Sequence, residues 1–166
     1  DERKFFTDTE HELLITQTQY QPATNTDTEF DLSYFNHPVK SIHLVSGKAT
    51  GSDWDSEFTF GKSSLYINGT ALFEGTSPEY HHSIVPEMHC TDLPDDILED
   101  VPTFSWPFSL TMSKEQPTGT LNFSRIDNAK LTITSPSGGN TLHRVYAVNY
   151  NILRIKNGMA GVAFGN

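Results

Sequence analysis

His81-His82 and, a few residues on, His89-Cys90 bring imidazoles and the one thiol of this sequence close together. A zinc ion held by His81 or His82 together with His89 and Cys90 is chemically conceivable, since imidazole nitrogen and thiolate sulfur both ligate zinc. The spacing lacks the regular pairs of structural zinc motifs, and adjacent histidines on a strand would point to opposite faces. We expect no metal and no cofactor. Cys90 beside His89 could suggest a thiol–imidazole nucleophile, but adjacent residues rarely face one another. No third orienting group is evident and no Gly-x-Ser-x-Gly elbow exists, so we expect no enzyme. His11, His37, His43 and His143 are scattered and read as structural. Asp92, Asp95, Asp96, Glu99 and Asp100 lack EF-hand spacing. They read as a solvated loop and short helix, against a weak cation or subunit contact. Two glycosylation sequons, Asn68-Gly-Thr70 and Asn122-Phe-Ser124, both fall in expected turns and are read as unmodified.

The elements that position these residues are strands. Phe104, Trp106, Phe108, Leu110 and Met112 share one parity of Thr103–Met112 while Thr103, Ser105, Pro107, Ser109 and Thr111 share the other, a period of two with one dry face. Pro107 cannot donate to a ladder, which puts this strand at an edge or Pro107 at a non-bonded position. Phe30, Leu32 and Tyr34 alternate in the same way. Further strands are expected at Leu13–Tyr20, Val39–Val45, Lys130–Thr134 and Val145–Lys156. In the last, Tyr146, Val148, Tyr150 and Ile152 share a face and then Leu153 and Ile155 take the other, which predicts a β-bulge or a change of sheet near Ile152. Asn68-Gly69 between the apolar runs of Ser64–Glu74 predicts a hairpin with positive φ at both turn residues. Pro22–Thr26, Ser46–Ser56 and Pro136–Asn140 read as loops and Pro94–Val101 as the single short helix. Gly158 and Gly161 read as a tight turn or close backbone approach rather than a phosphate cradle, since no helix follows.

About eight strands with little helix make an all-β sandwich, and the pattern leaves jelly-roll and immunoglobulin-like topologies both open. The chain of 166 residues fits one domain. Its 21 acidic against 11 basic residues leave a formal charge of −10, which argues against direct contact with nucleic acid and makes self-association sensitive to salt and pH. Cys90 is the only cysteine, so no internal disulfide can form. No apolar run approaches the ~20 residues that span a bilayer. The chain begins at Asp1 rather than Met, which reads as a fragment or processed piece.

One block is more specific than all of these. Gln116-Pro-Thr-Gly-Thr-Leu-Asn-Phe-Ser-Arg-Ile-Asp-Asn-Ala-Lys-Leu131, with the closing Val145–Phe164 stretch, resembles the carboxy-terminal signature of the major capsid proteins of nucleocytoplasmic large DNA viruses (the iridovirus, phycodnavirus and mimivirus group). Phe35-Asn-His-Pro-Val-Lys40, Leu65–Phe73 and Tyr80 with His81-His82 are similar to other phrases of that family, and the likeness covers nearly the whole chain. Glu87–Pro102 departs from it by being longer and more acidic.

The resemblance implies an eight-stranded antiparallel jelly roll, the second half of a double jelly roll, with residues 1–166 as one domain and 1–12 as the lead-in from an amino-terminal jelly roll. It also implies a homotrimer of pseudo-hexagonal outline that contacts neighbouring capsomers and minor capsid proteins. Such trimers tile an icosahedral virion shell over an inner membrane without inserting into it, and assemble in the host cytoplasm. Within the signature Asn122, Phe123, Ser124, Arg125, Ile126, Asp127 and Asn128, Phe123 and Ile126 are apolar enough to anchor a turn to the core. Arg125 and Asp127 are close enough to pair, so we expect a rigid corner that positions the last two strands. The alternative function is a carbohydrate-binding jelly-roll module using Trp54, Tyr66 and Tyr80, and a cupin-like metalloenzyme is the further rival.

Overall fold

The computed structural model describes residues 2–22, 28–48, 58–91, 103–136 and 141–165. A short helix, α1 (Glu2–Asp8), precedes β1 (His11–Pro22), β2 (Glu29–Asp31), β3 (Pro38–Lys48), β4 (Ser63–Ile67) and β5 (Thr70–Thr76). A π-helical turn (Tyr80–Ile84) then runs into α2 (Val85–His89). After it come β6 (Thr103–Pro107), β7 (Leu121–Asn122), a 3-10 turn (Phe123–Arg125), β8 (Ala129–Ile133), β9 (Thr141–Lys156) and β10 (Met159–Val162). One sheet runs β1-β9-β3-β6, with β7 added to β3 and β10 to β9; the other runs β2-β8-β4-β5.

The strand order decides the topology that periodicity left open. All pairs are antiparallel, and β1 pairs with β9, β2 with β8, β3 with β6 and β4 with β5. Each inner pair nests inside the next outer one along the chain. That wrapping is a jelly roll, and it excludes an immunoglobulin arrangement. Phe30, Leu32, Ile42, Leu44, Leu65, Phe104, Trp106, Leu131, Val145 and Ala147 meet between the sheets as one buried cluster. Residues of one parity from both sheets supply it, as a two-layer sandwich requires.

Several sequence expectations change. The Thr103 strand stops at Pro107 rather than Met112: the Phe108 amide turns inward to Lys40 O (2.9 Å), and Leu110 is left exposed. Pro107 does sit on the edge strand of its sheet. Tyr34 lies past the end of β2 and is 73% exposed, although Phe30 and Leu32 are buried. Strand β3 continues to Lys48, through the start of the expected Ser46–Ser56 loop, the rest of which lies outside the described residues. The Pro94–Val101 helix also falls outside the described residues, whereas Tyr80–His89 is helical and was missed.

Strand β9 corrects the largest inference. Tyr146, Val148, Tyr150 and Ile152 do share a face, but the core face is the other one, carrying Val145 and Ala147 and then the buried amides Asn149 and Asn151. These amides are satisfied across the sheet, Asn149 Oδ1 by Gln19 (3.0 Å) and Asn151 Nδ2 by Gln17 Oε1 (2.9 Å) and Phe164 O (2.8 Å). Neither a bulge nor a change of sheet occurs near Ile152, since β1 and β9 stay in register throughout. Instead β9 changes neighbour there, from β3 to β10. The register shift lies in β3, between Val39 and Ser41. Gly158 makes the β9–β10 turn with Asn157 (φ 73° and 51°), while Gly161 sits in β10 at ordinary φ.

Candidate functional site

The signature block is the crossing between the two sheets. Asn122 and Leu121 pair with Pro38 and Val39 of β3, and Ala129 opens β8 in the opposite sheet. Between them Phe123 is buried against Phe35 and Phe108, with ring centroids 6.4 and 5.9 Å away. Ile126 packs partly on the same core. Asn122 Oδ1 accepts from Ser124 N (3.1 Å) and so caps the 3-10 turn. His37, in the left-handed region at φ 68°, donates its amide to Ser124 Oγ (2.9 Å) and accepts from Phe123 N (3.0 Å). Arg125 and Asp127 are both exposed and do not pair with each other, because the 3-10 turn ends between them and each faces water.

The hairpin tip closes onto this corner. Asn68 and Gly69 take φ of 48° and 80°, the left-handed pair that a two-residue turn needs. Asn68 N donates to Asn128 O (2.7 Å), and Asn68 Oδ1 accepts from the amides of Asp127 (3.2 Å) and Asn128 (3.1 Å). Thus both sequon asparagines, Asn68 and Asn122, are exposed residues whose side-chain oxygens accept backbone amides, distant in the chain for Asn68 and local for Asn122. Two shallow clefts flank Asn128 and Lys130, one lined by Tyr66 and Gly69, the other by Glu29, Asp31, Ser33 and Asp127. Neither has an enclosed, convergent set of polar groups.

The histidines serve the far edge of the larger sheet. His81 and His82 lie in the π-helical turn, not on a strand, and both rings turn to the open side of β6. His81 Nδ1 donates to Ser105 O and His82 Nδ1 to Thr103 O, each at 2.9 Å. His81 Nε2 accepts from Thr76 Oγ1 (2.6 Å), and its ring stacks on Trp106 at 4.5 Å. Burial pushes the His81 imidazole down to about 4. His43, on β3, bridges Ser41 Oγ (2.9 Å) and Ser105 Oγ (2.8 Å). Burial, with nearby Lys40 adding repulsion, pushes it to about 4 as well. His89 Nδ1 donates to Ser109 O (3.0 Å), and Cys90, whose thiol is pushed up by burial, makes no catalytic pair with it. Among the described residues no three His, Cys, Asp or Glu side chains are grouped to hold a metal.

Lys40, at the β3 irregularity, is 6% exposed and has a depressed pKa through desolvation. Its Nζ donates to Lys114 O (3.4 Å) and lies 5.4 Å from the Tyr150 ring centroid. His37 and Lys40 fall in the Phe35–Lys40 phrase, but nothing in the sequence pattern gave Lys40 its buried position or singled out the Gln17/Gln19/Asn149/Asn151 ladder. Asn and Gln at core-parity positions were the available signal. Of the aromatics suggested for glycan binding, Tyr80 packs edge-on against His81 (5.2 Å), Tyr66 lines a shallow cleft, and Trp54 lies outside the described residues.

Both sheets also turn a face outward. The outer face of β1 and β9 carries Leu14 beside Ile152, Thr18 beside Val148 and Tyr20 beside Tyr146, the last pair with rings 5.2 Å apart. The other sheet turns Glu29, Asp31, Lys130 and Thr132 outward.

Comparison with known proteins accounts for this combination. The family described as large eukaryotic DNA virus major capsid protein matches residues 2–161. The major capsid protein of Pyramimonas orientalis virus is 32% identical over 184 aligned positions, covering 100% of this chain and 46% of that protein. That of Paramecium bursaria Chlorella virus 1 is 26% identical, covering 99% and 51%. The chain therefore spans about half the length of these relatives. Among solved structures, PBCV-1 VP54 fitted into the virophage Sputnik reconstruction superposes with a TM-score of 0.81 at 22% identity, covering 99% of this chain and 54% of that one. The PBCV-1 virus capsid gives 0.73 at 25% identity with the same coverage.

Proposed function

Because this chain belongs to the large eukaryotic DNA virus major capsid protein family, we propose that it is the second of two jelly rolls in a capsid subunit, with residues 1–12 leading in from the first. Its role is structural, as a component of the virion, and its chemistry is assembly rather than turnover. Three subunits make a capsomer of pseudo-hexagonal outline, capsomers tile an icosahedral shell, and minor capsid proteins attach to it. The shell overlies an inner membrane that this domain does not enter, and assembly takes place in the host cytoplasm. The acidic surface keeps the domain off nucleic acid.

The observation that supports this most is the conjunction of nested strand order with a family match over nearly the whole chain. Within it, the Asn122–Asn128 corner acts as a fixed joint: it ties β3, the β4–β5 tip and β8 together, so that loops at that end hold one shape for their neighbours. Sedimentation equilibrium of a polypeptide carrying this chain together with the other half present in its relatives tests the reading. A stable trimer is the expected result. A monomer at every salt concentration and pH would overturn it.

A further inference from the structure

Among the described residues, the edges at β6, β2, β5 and β10 are blunted, β7 is only two residues long, and β1 is neither. The open side of β6 has its Thr103 and Ser105 carbonyls occupied by His82 and His81, and it ends in Pro107. Strand β2 is three residues long with Glu29 and Asp31 on it. Strand β5 meets β4 through two register shifts and carries Glu74 and the positive-φ Gly75. Strand β10 has four residues, one of them Gly161. These are the devices by which edges avoid pairing with other chains.

Strand β1 lacks them. It runs for 12 residues at the end of its sheet, regular throughout against β9, with no lysine and no proline before Pro22. From Leu13 to Pro22 it has no charged residue, in a chain of net charge −10. Its one carboxylate, Glu12, is held by Arg154 at 2.7 Å. Leu14 and Tyr20 stand 52% and 51% exposed on its outer face. Among the described residues its backbone–backbone hydrogen bonds run to β9 alone; only side chains of β1 reach other backbone, Gln19 to Asn36 and His11 to Phe6.

We infer that the β1 edge is an interface with a second copy of this chain, the two β1 strands pairing antiparallel about a two-fold axis to continue the sheet. The charge pattern selects a copy as the occupant: two domains this acidic repel wherever carboxylates face each other, and β1 is where they do not. The pleat selects the register. A two-fold normal to the sheet keeps each outer face on one side, so opposed residues must share parity. Centring on Gln17 sets Leu14 against the second copy's Tyr20 and Thr16 against its Thr18, each twice, both favourable cross-strand pairs.

Such a contact is isologous. A closed trimer needs two different patches meeting head to tail, so this one joins capsomers instead of building them. It takes from the capsid reading only that copies of the chain meet.

Sedimentation velocity of the chain across a wide concentration range, with Thr18→Lys and Leu72→Lys variants, is the test. Wild type is expected to form dimers. Thr18→Lys, which puts ammonium groups on diagonal positions across the seam, should weaken them by roughly tenfold or more with an unchanged thermal midpoint. Leu72→Lys, on β5, should leave them intact. In a Cys90→Ser background, mixed Thr16→Cys and Thr18→Cys chains should form a disulfide-linked pair. A chain that stays monomeric, or a dimer indifferent to Thr18→Lys, overturns the inference. So does a trimer indifferent to it, which would leave the capsomer reading standing. Dimers lost in Thr18→Lys support the inference even if the longer polypeptide never trimerises.

Discussion

His81 and His43 show how single residues set the conditions under which this sandwich holds together. Both are kept neutral by burial, at about 4 against an ordinary 6.5. As pH falls below 6.5 the unfolded chain takes up protons at these positions while the folded chain does not. The stability they contribute is therefore complete above pH 6.5 and drains away as pH falls toward 4, by an amount on the order of 3 kcal/mol per histidine. The urea midpoint should drop steeply between pH 6.5 and 4, and His81→Gln should flatten part of that slope. A midpoint constant across the window would show that these rings are more open to water than the geometry says.

At the scale of elements, the Asn68-Gly69 hairpin does two jobs. It reverses the chain in a conformation that β-carbon-bearing residues resist, and it accepts two amides from the corner at Asp127 and Asn128. Asn68→Ala should cost about 1–2 kcal/mol, from left-handed strain and the lost acceptor together. Asn68→Gly should recover the strain component alone, and chemical denaturation of the two variants separates the terms. If both matched wild type, the tie to the corner would carry no energy. This hairpin was legible because Asn-Gly is local chemistry. The helical Tyr80–His89 segment was not, because what holds it is the edge of β6, contributed from over twenty residues away by Ser105 and Thr103. Nothing in the period of Tyr80–His89 announces that.

For the whole molecule, the formal charge of −10 opposes any assembly of copies. Added salt shortens the reach of that repulsion, from about 10 Å at 0.1 M to about 3 Å at 1 M. Association of the capsid polypeptide should therefore strengthen between low and moderate salt, measured as a rise in weight-average mass. Weakening with salt would mean that ion pairs across the interface outweigh the general repulsion. Among the described residues, surface ion pairs such as Lys130 with Glu29 at 3.2 Å are too exposed to decide the chain's stability.

The amino-acid sequence by itself determined most of the strands and the Asn-Gly turn, along with the family through the Asn122–Asn128 block, and it left Pro107 to either an edge strand or a non-bonded position. Each of those depends on residues close together in the chain. Only the tertiary structure decided which face of β9 is buried. Alternation shows that Tyr146, Val148 and Tyr150 lie together, but Asn149 and Asn151 can occupy the core side only because Gln17 and Gln19 of β1 and the carbonyl of Phe164 satisfy them. Burying an amide is costly until its partner is in place, and strand pairing across more than a hundred residues of chain supplies that partner.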